Sequence, residues 1–148
     1  MLEIINLTKT YKGGKKAVDG ISMKVEAGVI FGFIGPNGAG KTTTIKAVTG
    51  ILEFESGDIL IDGMSVKKEP IACKKITAYI PDNPDIYEFM TGIAFINFVG
   101  DIYQVKKDVR EELVKKYSDL FEMTANLGDR ISSYSHGMKQ KIAIIAAL

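Results

Sequence analysis

The sequence predicts an α/β domain, and three observations carry that expectation. Val29-Ile30-Phe31-Gly32-Phe33-Ile34 is a short apolar run rich in β-branched and aromatic residues, followed at once by a glycine-rich loop and then by a segment free of helix breakers. The residues before position 88 fall into short strand-like runs separated by Gly, Pro and Asp-Gly punctuation. From Thr91 onward the apolar period lengthens to that of helices. The boundary between the two halves is expected near Glu88, giving a strand-rich region 1–88 and an all-helical region 89–148.

Leu2 to Leu7 and Ile21 to Val25 read as strands around a turn at Tyr11-Lys12-Gly13-Gly14-Lys15. No helix-length segment separates them, which implies a small antiparallel sheet. Val29 to Ile34 reads as a buried strand with helices over both faces. Ile59-Leu60-Ile61, the tight-turn pair Asp62-Gly63 and Met64-Ser65-Val66 form a hairpin pattern. Pro70 to Lys75 fits one or two helical turns with Pro70 at the first position. Ile76 to Ile80 reads as another strand, closed by Pro81-Asp82-Asn83-Pro84. Thr91 is placed to cap a helix running through Ile102, apolar nearly all round. A second helix is expected from Asp108 to Phe121, with Val109, Leu113, Tyr117 and Leu120 on one face. A last helix opens after Ser135 and is still apolar at Leu148, so the chain reads as cut short within it.

Gly35-Pro36-Asn37-Gly38-Ala39-Gly40-Lys41-Thr42-Thr43 matches the phosphate-binding pattern G-x-x-x-x-G-K-[ST] in its required setting of strand, loop and helix. Gly38 and Gly40 lack a Cβ, so the main chain is able to present N–H groups to phosphate oxygens. The helix that follows points its positive end at the same oxygens. Lys41 supplies a point charge for the β- and γ-phosphates, and the Thr42 hydroxyl is a hard-oxygen ligand suited to Mg²⁺. The residues also fit a glycine-rich turn that merely caps a helix.

A net charge of +1 and the lack of a basic run argue against nucleic acid as the main partner. Cys73 is the single cysteine, so no internal disulfide is available, and it reads as a small buried hydrophobe in a reducing setting. Glu3, Asn6 and Lys9 interrupt any signal-peptide pattern, and no apolar run reaches membrane-spanning length. If a membrane is involved, another chain crosses it.

With Tyr11 ahead of the glycine turn, Gly35 to Thr43, and Tyr134-Ser135-His136-Gly137-Met138 opening the last helix, the sequence resembles the nucleotide-binding domain of ATP-binding cassette (ABC) transporters. The match corresponds to about the first two thirds of such a domain, with an incomplete core. The resemblance implies a P-loop NTPase fold with ATP and Mg²⁺ as ligands. It implies that Tyr11 stacks on adenine and that Val18 lines the base or ribose. Asn37, Gly38, Ala39, Gly40, Lys41, Thr42 and Thr43 would hold the phosphates. Ser135, His136 and Gly137 stand at the family's L-S-G-G-Q signature, which serves the nucleotide of the opposite subunit in a head-to-tail homo- or heterodimer. His136 replaces a usual glycine and Met138 a frequent glutamine. Asp82 falls at about the position of a family glutamine that touches Mg²⁺ and the attacking water, which makes Thr42 and Asp82 the candidate metal ligands; Asp82 also fits an ordinary turn.

Tyr87, Phe89 and Met90 lie where the family docks its membrane subunit, and they equally suit a core joining the two halves. The implied partner is a separate transmembrane permease, with the chain peripheral on the cytoplasmic, inner face of the cell membrane. No apolar run ending in Asp-Glu follows the signature, so the 148 residues are expected to bind ATP without turnover, while the intact parent hydrolyses it. Two other readings stay open: an ABC ATPase without a membrane partner, and a nucleotide-binding regulatory or interaction module.

Overall fold

The computed structural model describes residues 1–84 and 86–148. They form two compact units, Met1–Ala78 and Tyr79–Leu148, each with its own hydrophobic core. Glu88, where the sequence places the change of architecture, lies within the second unit.

The first unit is built on a four-stranded antiparallel sheet. Its strands are β1 (Leu2–Thr10), β2 (Lys16–Val25), β3 (Ser56–Ile61) and β4 (Met64–Ser65), in the order β2-β1-β3-β4. β1 is central, with Ile4 opposite Met23 on one side and opposite Ile59 on the other. Ile4 and Leu7 are both buried although they are three residues apart, which strict alternation forbids. The register slips between them, and Asn6 has φ 48°, so a bulge returns Leu7 to the core face. Asp62 and Gly63, at φ 48° and 81°, both take the positive φ that a two-residue hairpin turn demands, and Ile61 faces Met64 across it.

Helix α1 (Lys41–Val48) lays Thr43, Thr44 and Ala47 inward, and Ala47 joins Ile4, Leu7, Val18, Phe54, Ile59, Val66 and Cys73 in the core. Each large side chain fully buried there contributes about 1.5–3 kcal/mol. Helix α2 (Pro70–Lys75) starts on Pro70, whose missing N–H is no loss in a first turn, and sets Cys73 into the same core. Burial pushes the Cys73 thiol above its ordinary pKa of 9.0, and its Sγ–H donates to the Met64 carbonyl at 3.4 Å.

Two expected strands do not form. Val29–Ile34 is irregular, with Ile30 and Ile34 almost fully solvent-accessible and Val29 and Phe31 half exposed. Ile76–Ile80 likewise has no ladder, and Ile76 and Ile80 are exposed. A strand exists through its neighbours' hydrogen bonds, and among the described residues neither run is paired with a partner strand.

The second unit is helical: α3 (Gly92–Ile102), α4 (Lys107–Leu120) and α5 (His136–Ala147), with single 3₁₀ turns at Thr124–Asn126 and Ile131–Ser133. Thr91 caps α3 by accepting from the Ala94 N–H at 3.3 Å. Phe95, Ile96, Met123, Ile131, Tyr134, Ile142 and Ile145 form its core. The buried face of α4 differs from the expected one. Val114, Tyr117, Ser118 and Phe121 turn inward, while Val109 and Leu120 are exposed. Arg110 fixes that orientation, because its guanidinium donates to the Asn97 and Val105 carbonyls and pairs with Asp101 at 2.6 Å.

Candidate nucleotide-binding site

The loop 35–40 is shaped by glycine and lysine together. Gly40 has φ 85°, and a Cβ there would lie 2.2 Å from the Ala17 carbonyl oxygen, so both the dihedral and the space exclude any side chain. Gly40 is also the residue before α1, and the Thr44 N–H and hydroxyl both donate to its carbonyl, at 2.8 and 3.0 Å. Gly38 has φ 83°, and the Ala39 N–H closes the bend on the Pro36 carbonyl at 3.2 Å. The Lys41 ammonium folds back to donate to the Gly35 and Pro36 carbonyls at 2.6 and 2.8 Å. One cation and the N-terminal end of a helix therefore meet at one bend, with Asn37, Gly38 and Ala39 exposed along its rim. Positive charge and unpaired helix N–H groups of this kind suit an anion.

Tyr11 stands beside this bend within the first unit. Its ring is 43 % exposed, its hydroxyl lies 3.2 Å from the Thr43 hydroxyl, and the Lys9 ammonium sits 5.9 Å from its centroid. An exposed ring tied at its polar tip to α1 offers a flat face for an aromatic ligand. Val18 does not share that exposure. It is 3 % exposed, belongs to the core and packs beside Gly40.

The residues fit a phosphorylated ligand that brings its own metal. Among the described residues no group of three or more His, Cys, Asp or Glu is placed to hold an ion. Thr42, exposed in the first turn of α1, is a single hard-oxygen donor of the kind that completes a Mg²⁺ shell made mostly of phosphate and water.

The remaining candidates belong to the second unit. Ser135 caps α5, accepting from the Met138 N–H at 3.3 Å, and Ser135, His136 and Gly137 are all exposed at that helix N-terminus. Asp82 is exposed in a bend, and its main-chain carbonyl accepts from the Gln140 amide at 2.9 Å. Tyr87 and Phe89 are exposed with ring centroids 5.8 Å apart, and Tyr87 meets Phe98 edge-on at 5.5 Å, whereas Met90 packs on the core. Sequence reasoning missed the Tyr11–Thr43 contact and the contacts from Lys139 and Gln140 to the 82–88 segment. No short-range pattern announces contacts between residues 32 to 58 positions apart.

The loop that opens α1 carries the P-loop motif, and the solved structures that superpose on the chain are P-loop ATPase domains. The family model "ABC transporter" matches residues 18–148. Over its full length the chain is 34 % identical to the uncharacterized ABC transporter ATP-binding protein YhcH of Bacillus subtilis (strain 168), covering 47 % of that protein. It is 35 % identical over 150 residues to the SkfA peptide export ATP-binding protein SkfE of the same organism, covering 61 % of it. The solved structure of an ATP binding subunit of an ABC transporter superposes with TM-score 0.92 at 30 % identity, covering 99 % of this chain and 61 % of that one. A dimeric post-hydrolysis state of the cassette MJ0796 bound to ADP and Pi shares the fold, at TM-score 0.85 and 20 % identity, with 100 % and 69 % coverage. The chain belongs to the ABC transporter family. It spans about half to three fifths of the length of the relatives it matches here.

Proposed function

We propose that these residues are the nucleotide-binding part of an ABC transporter's ATP-binding subunit, which couples ATP binding and hydrolysis to transport by a separate membrane permease. The observation that carries this reading is the bend at 35–41, where the positive φ of Gly40, the Lys41 ammonium and the start of α1 converge. Tyr11 stacks on the adenine. Main-chain N–H groups from Asn37 to Thr43 take the phosphate oxygens, and Lys41 exchanges its two loop carbonyls for the β- and γ-phosphates. Thr42 would supply one oxygen ligand to a Mg²⁺ ion carried by the nucleotide, whose charge would offset that of the phosphates. Ser135 and Gly137, flanking His136, offer a hydroxyl and an N–H to the nucleotide of a second cassette in a head-to-tail dimer.

No helix among the described residues is long and apolar enough to cross a membrane. In this reading the permease supplies the crossing, and the cassette sits on the inner face of that membrane. No apolar run ending in Asp-Glu follows Ser135-His136-Gly137 within the 148 residues, and in this reading the stretch alone holds MgATP without turning it over. Titration calorimetry of this chain with MgATP tests the proposal. Lys41→Ala should weaken binding about tenfold or more, as expected when a charge-assisted contact is lost. Binding that is absent in the unmodified chain, or indifferent to Lys41→Ala, would overturn it. Phosphate release by the unmodified chain at the rate of an intact cassette would overturn the second part.

A further inference from the structure

At the end of α1 remote from the bend, the first unit holds a cavity of about 420 Å³, a size usual for small-molecule sites. Leu52, Phe54, Val66 and Cys73 make its apolar wall. Val48, which also lines it, stands seven residues along α1 from Lys41, about 10 Å down the helix axis. Most polar groups of the lining are already engaged within the protein. The Thr77 hydroxyl donates to the Cys73 carbonyl at 2.8 Å, and the Cys73 Sγ–H donates to the Met64 carbonyl. The last carbonyls of α1, which would otherwise draw a cation, accept from the Thr49 hydroxyl and from the N–H groups of Gly50, Ile51 and Leu52.

Lys67 and Lys74 differ from these groups. Lys67 sits 4.1 Å above the Phe54 ring and donates to the Gly57 carbonyl at 3.1 Å, which fixes its place and leaves the rest of its ammonium to donate elsewhere. Lys74 leans toward the end of α1, where a Cβ added at Gly50 would lie 3.5 Å from its Cε and 3.5 Å from Val66 Cγ1. Among the described residues neither lysine is in an ion pair, and Glu53 is the one carboxylate on the lining. We propose that this cavity binds a small organic carboxylate with an apolar, ring-bearing body, at a site separate from the bend at 35–41. The apolar wall takes the body, and Lys67 and Lys74 take the carboxylate in charge-assisted hydrogen bonds. A cationic ligand would face two ammonium groups against a single carboxylate.

Titration calorimetry of this chain with biphenyl-4-carboxylate tests the proposal. One saturable site is expected, with Kd below about 1 mM, and biphenyl-4-carboxamide and 4-phenylbenzylamine should bind about tenfold or more weakly. Lys67→Met and Lys74→Met keep an apolar stem and remove the charge, and each should weaken the carboxylate about fivefold or more. Val66→Phe fills the cavity and should weaken it about tenfold. Lys41→Ala, and Ile30→Lys with Ile34→Lys, lie outside the cavity and should leave Kd within about twofold. No saturable binding, tighter binding of the amine, or an affinity indifferent to both lysine variants would overturn the proposal. So would a loss of binding in Lys41→Ala or in the isoleucine double variant, since either would place the ligand elsewhere.

Discussion

Gly40 shapes the bend at 35–41, and Tyr11 sets the face beside it. Gly40→Ala should destabilise the first unit by about 1–3 kcal/mol, because the new methyl meets the Ala17 carbonyl at a dihedral that alanine avoids; urea unfolding checks this. Tyr11 separates ring from hydroxyl. Tyr11→Phe loses the contact with Thr43 and should leave MgATP affinity within about threefold, as expected of one neutral hydrogen bond partly replaced by water. Tyr11→Ala should cost about 1–3 kcal/mol of binding if the ring stacks on the base. Equal affinities for all three, measured by calorimetry, would remove the stacking role. Much of this bend was legible in the sequence, because a glycine-lysine loop has few physical uses. Val18 was less legible: it is buried in the core, and neighbourhood in sequence does not distinguish a lining side chain from one turned into the core beside the site.

Helices proved more legible than strands, and the reason is locality. Thr91 and Ser135 announce α3 and α5 by chemistry complete within four residues, and both caps are formed. Thr91→Ala and Ser135→Ala should each cost about 1 kcal/mol, read as shifts in urea midpoint, and Thr91→Ser and Ser135→Thr should recover most of it. The Asp62-Gly63 hairpin is equally local. Val29–Ile34 and Ile76–Ile80 are not. Their composition states a demand for burial, but whether a run becomes a strand depends on a neighbour that composition does not name. The face of α4 was legible only in part, at Tyr117, since several apolar residues compete for one stripe and the largely sheltered Arg110 guanidinium decides among them.

At the scale of the whole molecule, the run Val29–Ile34, which pairs with no strand among the described residues, is an exposed apolar feature. Ile30 and Ile34 stand almost wholly in water beside Val29 and Phe31, which makes a contiguous apolar stretch. This chain should self-associate as its concentration rises, and Ile30→Lys with Ile34→Lys should shift it toward monomer in sedimentation velocity while leaving MgATP binding in place. A monodisperse monomer at all concentrations would contradict that. The division into two cores has its own bearing on how such a chain changes over time. A replacement at Leu7 is felt by Ile4 and Ile59, one at Ile142 by Phe95 and Tyr134, and neither cluster shares a member with the other. A side chain made smaller in one cluster is therefore repaired by a larger one among the same few neighbours, so compensating substitutions are to be sought within each cluster.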